Sequence, residues 1–161
     1  MADYCFGLYD GKALIGSMVF GRPAMANQWK KYGDKAEDVI ELRRLACIDD
    51  TPKNTESFFI GHALRHLKKN TTIKAVISYA DSNYGHSGII YKASNFKYLG
   101  LTSKGKVIIY GTKKYHDKAI RTKYKGELKP FAVRLKAALE TGEAYYEEQK
   151  EKHIYLFKLR E

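Results

Sequence analysis

The stretch SYADSNYGHSGIIYKASNFKYLG, residues 78–100, indicates the fold most directly. It begins at the end of an almost wholly apolar run, residues 73–79, which is typical of a strand covered on both faces. Polar residues and glycines then predict a loop over residues 81–88. A short helix over residues 89–95 and a strand over residues 96–101 follow. This order is typical of an α/β domain.

The residues before this stretch predict a hairpin, a strand and a helix. Two β-prone runs, residues 4–9 and 13–20, flank Asp10-Gly11-Lys12, which favours a tight turn. Residues 21–34 lack a clean period and predict a loop or a short helical crossing. The strand is predicted over residues 39–48, with Ile40, Leu42 and Arg44 on one face. The helix follows, with an apolar stripe formed by Phe58, Ile60, Leu64 and Leu67.

The residues after this stretch complete the predicted fold. A second hairpin joins the strands 96–101 and 106–110 through a turn at residues 103–105. A helical turn near Ala119, a helix over residues 130–140 and a closing strand over residues 153–159 follow. We therefore expect a single α/β domain over residues 1–161, with a mixed sheet flanked by helices.

The composition indicates a polyanionic partner. The chain carries 29 Lys and Arg against 18 Asp and Glu, a formal net charge of +11. With 13 tyrosines, which can stack on bases, this excess favours nucleic acid over an anionic membrane. The two cysteines lack CxxC spacing, which favours a reducing cytoplasm. No apolar run approaches the length of a membrane span, so we expect a protein that is neither exported nor embedded.

Reactive side chains are dense between residues 78 and 91. Ser78 and Asp81 end the predicted buried strand, His86 lies in the loop, and Tyr91 lies in the following helix. Asp81 and His86 are candidate proton acceptors, and Tyr91 is a candidate proton donor to a leaving group. The alternative is structural: Asp81 caps the loop, His86 bonds to backbone, and Tyr91 packs with a wet hydroxyl.

A weaker signal lies at the start of the first predicted helix. Because helix N-termini attract anions, the donors there are candidates to bind a pyrophosphate. The residues concerned are Lys53, Asn54, Thr55 and Ser57. The alternative is that they are ordinary helix caps.

Four segments together resemble the Mom family of phage DNA-modification proteins, relatives of the Gcn5-related (GNAT) N-acetyltransferases. These segments are Glu41-Leu42-Arg43-Arg44-Leu45, Pro52-Lys53-Asn54-Thr55-Glu56-Ser57, residues 78–100 and Lys152-His153-Ile154-Tyr155. The resemblance covers residue 6 to about residue 126 and is most specific in residues 78–100. It implies a GNAT-like fold and a transferase that converts adenine in duplex DNA to a carbamoylmethyl-type N6 derivative, which protects bacteriophage DNA from restriction.

The resemblance also implies roles for individual residues. The strand over residues 39–48, with Arg43, would line the pantetheine arm of acetyl-CoA or a related acyl donor. The helix N-terminus over residues 54–57 would meet the cofactor pyrophosphate, and Tyr91 would be the general acid. Asp81, directly or through water or His86, would orient or deprotonate the amine. The usual glycines of a GNAT pyrophosphate loop are absent from residues 51–57.

Double-stranded DNA is the expected partner. Its N6 amino group is paired in the duplex, so the enzyme must reach it in the major groove or flip the base. The expected phosphate contacts come from two basic loops and comprise Arg22, Lys30, Lys31, Lys113, Lys114, Arg121 and Lys123. The sequence leaves the oligomeric state open, a homodimer included.

No metal is expected to be bound. His62 and His66 lie four residues apart on a predicted helix, but no further ligand motif accompanies them. Two other functions stay open: a conventional acetyl-CoA-dependent N-acetyltransferase of a small amine or protein, and a non-catalytic DNA-binding protein on the same scaffold. The first would not bind duplex DNA, and the second would leave every base unchanged.

Overall fold

The computed structural model describes residues 2–25 and 27–160, which divide into two compact units. The larger unit comprises Met1–Thr102 and Lys152–Glu161, and the smaller comprises Ser103–Glu151. That residues 1–161 form a single domain stays a prediction. Residue 26 of the predicted loop over residues 21–34 lies outside the described residues.

The helices and strands follow one another along both units. The first are β1 (Ala2–Asp10), β2 (Ala13–Gly21), β3 (Val39–Cys47), α1 (Thr55–Asn70), β4 (Ala75–Asp81), α2 (Ile89–Ala93) and β5 (Lys97–Leu101). The others are β6 (Gly105–Tyr110), β7 (Lys113–His116), β8 (Lys123–Tyr124), β9 (Glu127–Leu128), α3 (Pro130–Thr141), β10 (Ala144–Gln149) and β11 (Lys152–Lys158). Short 3-10 helices occupy Gln28–Lys31, Ala36–Asp38, Ser82–Tyr84 and Asp117–Arg121.

The larger unit is built on a six-stranded mixed sheet in the order β1-β2-β3-β4-β11-β5. Strands β3 and β4 pair in parallel, and the other neighbouring strands pair antiparallel. Helix α1 covers one face because its apolar residues recur at helical spacing; they are Phe59, Ile60, Ala63, Leu64 and Leu67. On the other face, Trp29 and Tyr32 pack against a second cluster around Val39 and Ile77.

The smaller unit has a core of its own. Its three-stranded sheet has the order β10-β6-β7, and β8 and β9 form a separate two-stranded ribbon. Leu135 and Ala138 of α3 pack on Ile108 of β6 and Ala144 of β10. Pro130 begins α3, and Gly142 ends it in the left-handed region at φ 83°. The predicted helix, and the predicted turn near Ala119, are confirmed.

Two predicted side-chain directions are wrong. Opposite Val19 and Phe20, strand β3 contains one extra residue, Arg43, so the alternation of its side chains reverses there. Leu45, rather than the exposed Arg44, therefore lies with Ile40 and Leu42 against the main core. In α1, Phe58 is 57% exposed, because Phe59 takes the buried position one residue later.

The predicted second hairpin is also wrong. Strand β5 pairs with β11, whereas β6 pairs with β10 and β7. The turn signal at residues 103–105 marks the passage between the two units rather than a hairpin, and the tight turn lies instead at Gly111, between β6 and β7. The first hairpin, β1 with β2, is confirmed. Among the described residues, no helix is both long enough and apolar enough to cross a membrane.

Candidate active site

The parallel strands β3 and β4 separate at their carboxyl ends. Their pairing runs from Val39 opposite Ala75 to Leu42 opposite Ser78 and stops there. Beyond this point β3 stays paired with β2 as far as Cys47, and β4 stays paired with β11 as far as Asp81. Since ligands of open α/β sheets bind at the carboxyl ends of strands, the gap is the candidate active site.

Helix α1 begins beside the carboxyl end of β3 with an uncapped N-terminus. The side chain of Asn54 makes no capping hydrogen bond, and its backbone is left-handed at φ 69°. The Thr55 hydroxyl donates to the carbonyl of Pro52 at 2.6 Å, and the Ser57 hydroxyl donates to the carbonyl of Asn54 at 3.0 Å. The Thr55 N–H is itself bonded to the Pro52 carbonyl, so the N–H groups that follow it, with the exposed Lys53, are the candidates to bind an anion.

The left-handed Asn54 bears on the missing glycines. A tight turn that wraps an anion often needs one residue at positive φ, and glycine adopts that conformation most readily. Asparagine is among the few other residues that tolerate it. Residues 51–57 therefore form the turn before α1 without the glycines of the usual pyrophosphate loop.

Arg43 fixes the segment that precedes β3. Its Nη2 donates to the backbone carbonyl of Arg22, and the Oε2 of Glu41 accepts a hydrogen bond from the backbone of Ala24 at 2.9 Å. Both residues belong to β3 at the edge of the gap. They hold residues 22–24 beside it.

Ser78 and Tyr91 come together on the α1 side of the gap. Ser78 is fully buried and donates from Oγ to the carbonyl of Leu42 at 3.2 Å. The Tyr91 ring packs beside those of Phe96 and Tyr155, with centroids 5.5 and 5.3 Å away. Burial raises the pKa of Tyr91, the nearby Ser78 hydroxyl lowers it in part, and the charge of Glu41 raises it. The phenol therefore stays protonated at neutral pH and is suited to donate a proton.

Asp81 lies at the end of β4 and is already engaged. It accepts hydrogen bonds from the backbone and side-chain nitrogens of Asn83 at 3.0 and 2.8 Å, which cap the turn Ser82–Tyr84. Lys152 Nζ approaches its carboxylate to 2.7 Å. Burial by itself would raise the pKa of Asp81, but the bonds from Lys152 and Asn83 hold it below its ordinary value. Asp81 is therefore a weak proton acceptor and a good anchor for this turn.

Replacing Asp81 by asparagine should remove a stabilisation that depends on pH. Because the pKa is lowered in the folded state, the contribution is complete above the unfolded pKa of about 3.9 and is lost as pH falls through the folded value. Since Lys152 is half exposed, we expect about 0.5–1 kcal/mol at pH 7. Urea unfolding at pH 7 and at pH 3 measures it. The control, Glu148→Gln, breaks an exposed ion pair and should leave the free energy of unfolding unchanged at both pH values. A loss of stability in Asp81→Asn that is the same at pH 7 and pH 3 would contradict the account.

The loop between β4 and α2 is anchored to β11. The buried Tyr155 donates from its hydroxyl to the carbonyl of Ser87 at 2.6 Å. Gly88 begins α2 at φ 76°, and a Cβ there would lie 2.3 Å from the Tyr155 ring. The backbone N–H of His86 donates to the carbonyl of Asp81 at 3.2 Å, while its side chain is exposed. These contacts therefore anchor the loop between β4 and α2 beside the gap.

Lys152 and Tyr155 are site residues that the sequence argument did not assign. They reach the gap because β11, from the end of the chain, pairs with β4 and places Lys152 opposite Asp81 and Tyr155 opposite Ser78. The only signal was the family resemblance of residues 152–155.

The two candidate metal-binding histidines contact aromatic rings instead. His62 lies 4.3 Å from Phe58 and His66 lies 5.4 Å from Phe6, centroid to centroid. Over residues 2–25 and 27–160, no three His, Cys, Asp or Glu side chains lie in a group that could hold a metal ion.

The predicted phosphate contacts fall in both units. Lys30 lies 5.7 Å from the Trp29 ring centroid in the larger unit. In the smaller unit, Lys114 pairs with Glu147 at 2.8 Å and Arg121 pairs with Asp117 at 2.9 Å. The segment 104–125 still carries eight Lys or Arg against one Asp. This segment is the main concentration of positive charge.

Comparison with known proteins identifies the family and the fold. The methylcarbamoylase mom of Escherichia phage Mu is 31% identical over 97 residues, which are 58% of this chain and 40% of that relative, so the chain spans about two fifths of its length. Two solved structures resemble the chain. A Bacillus subtilis acetyltransferase in complex with CoA has a TM-score of 0.51 and 11% identity, over 96% of this chain and 75% of that one. The GphF GNAT-like decarboxylase in complex with isobutyryl-CoA has a TM-score of 0.53 and 12% identity, over 98% of this chain and 79% of that one. At such identities the likeness shows the fold alone, and it confirms the predicted GNAT-like α/β class. The family model of the Mom protein family matches residues 1–161, and the chain therefore belongs to that family.

Proposed function

We propose that the chain is a transferase that attaches a carbamoylmethyl-type group to the N6 amino group of adenine in duplex DNA and so protects bacteriophage DNA from restriction. Membership of the Mom family and the similarity to the methylcarbamoylase mom of Escherichia phage Mu support this proposal. The observation that carries it is the gap between β3 and β4, which lies beside the uncapped start of α1 and the protonated Tyr91.

We expect a donor of the coenzyme A type, which carries the transferred group on sulfur. Two proteins of this fold carry CoA or isobutyryl-CoA. In this chain the N–H groups at the start of α1, with Lys53, Asn54, Thr55 and Ser57, would hold the pyrophosphate. The edge of β3 at Arg43 would line the pantetheine arm. When bound, such a donor would carry the transferred carbon on sulfur, so that the N6–C bond forms as the C–S bond breaks and N6 loses a proton. A carbamoylmethyl product requires that carbon to be the methylene next to the carboxamide, because attack on a thioester carbonyl gives an N6-acyl adenine.

Each residue around the gap has a separate proposed role. With such a donor bound, Tyr91 would be placed to protonate the thiolate that leaves, because its phenol is protonated at neutral pH. Ser78, whose Oγ donates to the carbonyl of Leu42, lies close enough to the Tyr91 hydroxyl to influence its pKa. Asp81, held by Lys152 and Asn83, orients the amine directly or through water, with the exposed His86 beside it.

Duplex DNA is held in part through the basic segment 104–125. Replacing Lys113 and Lys123 together by glutamine removes two expected phosphate contacts. The slope of log affinity against log salt concentration should therefore become shallower by about 2, since each contact contributes about 0.9. The measurement is a salt titration of binding to a duplex oligonucleotide.

The matched control for this titration is Lys12→Gln, in the exposed β1–β2 turn, which removes a positive charge that is not part of the basic segment. It should leave the slope unchanged. A slope that is flat for the unchanged protein would argue for a small-molecule or protein substrate instead.

Restriction of plasmid DNA tests the biological outcome. Plasmid from cells that express the chain should resist endonucleases whose sites contain adenine, and plasmid from cells that express Tyr91→Phe should be cut. Complete cleavage of both plasmids would contradict the proposed protection.

A further inference from the structure

The face of the sheet opposite α1 presents a second pair of polar groups at the same gap. Glu41 of β3 and Tyr79 of β4 share this face, because Glu41 lies opposite Ile77 and Tyr79 follows two residues later. Glu41 lies one residue before the last pair of β3 and β4, and Tyr79 lies one residue beyond it. Trp29 and Tyr32, from the segment before β3, pack over the apolar cluster that Tyr79 joins.

The hydroxyl of Tyr79 is buried and lacks a hydrogen-bond partner of normal geometry among the described residues. Burial raises the pKa of Tyr79 far above its usual range, the nearby Glu41 charge raises it further, and the Gln28 side chain lowers it in part. The amide of Gln28 therefore approaches the hydroxyl without satisfying it. Buried polar groups are nearly always bonded, so this hydroxyl is available to a water molecule or to a ligand that displaces it.

Glu41 supplies the complementary group. One carboxylate oxygen accepts from the backbone of Ala24, and a carboxylate has acceptor capacity for further donors. The pair thus offers one acceptor, at Glu41, and one donor, at Tyr79. Gln28, which comes close to Tyr79, carries the inverse pair on its amide: an NH2 donor and a carbonyl acceptor.

We propose that Glu41 and Tyr79 form the recognition site for the target base, with the Glu41 carboxylate accepting from the exocyclic amine and the Tyr79 hydroxyl donating to the adjacent ring nitrogen. This inference rests on the proposed function. The pairing edge of adenine presents these two groups, N6–H and N1, once the base leaves the stack. Guanine and thymine present the opposite pattern, with a carbonyl that would face the carboxylate, whereas cytosine presents the same pattern as adenine and differs from it in size. The bound base takes the place of the Gln28 amide.

The test measures the affinities of the protein and its variants for two DNA duplexes in the absence of any donor. A duplex carries its target adenine, or 1-deazaadenine, which lacks the N1 acceptor, opposite an abasic site. The unchanged protein should bind the adenine duplex about 5- to 100-fold more tightly, because the deaza base leaves a buried hydroxyl unpaired. Tyr79→Phe should bind both duplexes within about twofold of each other. An undiminished preference in Tyr79→Phe, or none in the unchanged protein, would overturn the proposal.

Two further variants complete the cycle. Glu41→Gln turns the acceptor into an amide that can also donate, so its relative affinity for hypoxanthine should rise about 5-fold or more; an unchanged hypoxanthine ratio would overturn the assignment of Glu41. Tyr9→Phe, 61% exposed on β1, is the matched control and should keep the preference of the unchanged protein. Tyr79→Phe removes an unsatisfied group, so it should unfold at the same temperature as the unchanged protein or higher.

This design distinguishes a failure of the proposed recognition site from a failure of the proposed chemistry. If no adenine is ever modified but the deaza discrimination holds and depends on Tyr79, the proposed chemistry is wrong and the recognition site stands. If adenine is modified and the discrimination is absent, the recognition site is wrong and the proposed function stands.

Discussion

Tyr91→Phe is expected to lower the rate of adenine modification by a factor of about 100 to 10,000, the usual contribution of a positioned proton donor. The phenylalanine keeps the ring contacts with Phe96 and Tyr155, so the protein should fold normally. It loses only the hydroxyl that burial holds protonated. The measurement is the single-turnover rate of modified-adenine formation at saturating donor and DNA.

The affinities for donor and DNA should change little, because the hydroxyl is assigned to the reaction step rather than to binding. Tyr9→Phe, at an exposed position of β1, is the control and should retain the full rate. A Tyr91→Phe rate within threefold of the unchanged protein would remove Tyr91 from the mechanism.

Gly88→Ala is expected to destabilise the protein by about 3–5 kcal/mol, a large part of the stability of a domain of this size. The alanine would have to adopt φ 76°, and its Cβ would lie 2.3 Å from the ring of the fully buried Tyr155. Neither the ring nor the backbone at the start of α2 has room to move without breaking the hydrogen bond from Tyr155 to Ser87. The free energy of unfolding in urea measures the effect.

Gly85→Ala separates the cost of the left-handed backbone from the cost of the clash with Tyr155. Gly85 lies in the same loop at φ 74°, but a Cβ there meets nothing within 4 Å. It should therefore show only the cost of the left-handed conformation, about 1 kcal/mol. Equal effects of the two substitutions would show that contact with Tyr155 does not hold the loop.

Local patterns predicted most elements of the larger unit. The β1–β2 hairpin, the strand β3, the helix α1 and the buried strand β4 all lie close to their predicted positions. They depend on turn chemistry and apolar spacing, which act over a few residues. Local patterns do not show which distant strands pair. The bulge at Arg43 and the partners of β6 depend on such pairing.

The same limit applies to the candidate site. Ser78 and Tyr91 were predicted together because they are near in sequence, and the structure joins them by packing. Asp81 was predicted as a base from its position alone. Its pKa is lowered by Lys152, which lies 71 residues later and meets it only because β11 pairs with β4. Charge partners of this kind require the fold.

Mass spectrometry of nucleosides tests the central claim most directly. DNA from cells that express the unchanged chain, Tyr91→Phe or Tyr9→Phe is digested to nucleosides and analysed for deoxyadenosine derivatives. The account predicts an N6-substituted deoxyadenosine with the mass of a carbamoylmethyl-type adduct in the first and third samples, and its near absence in the second. Unmodified deoxyadenosine alone in all three samples would contradict it.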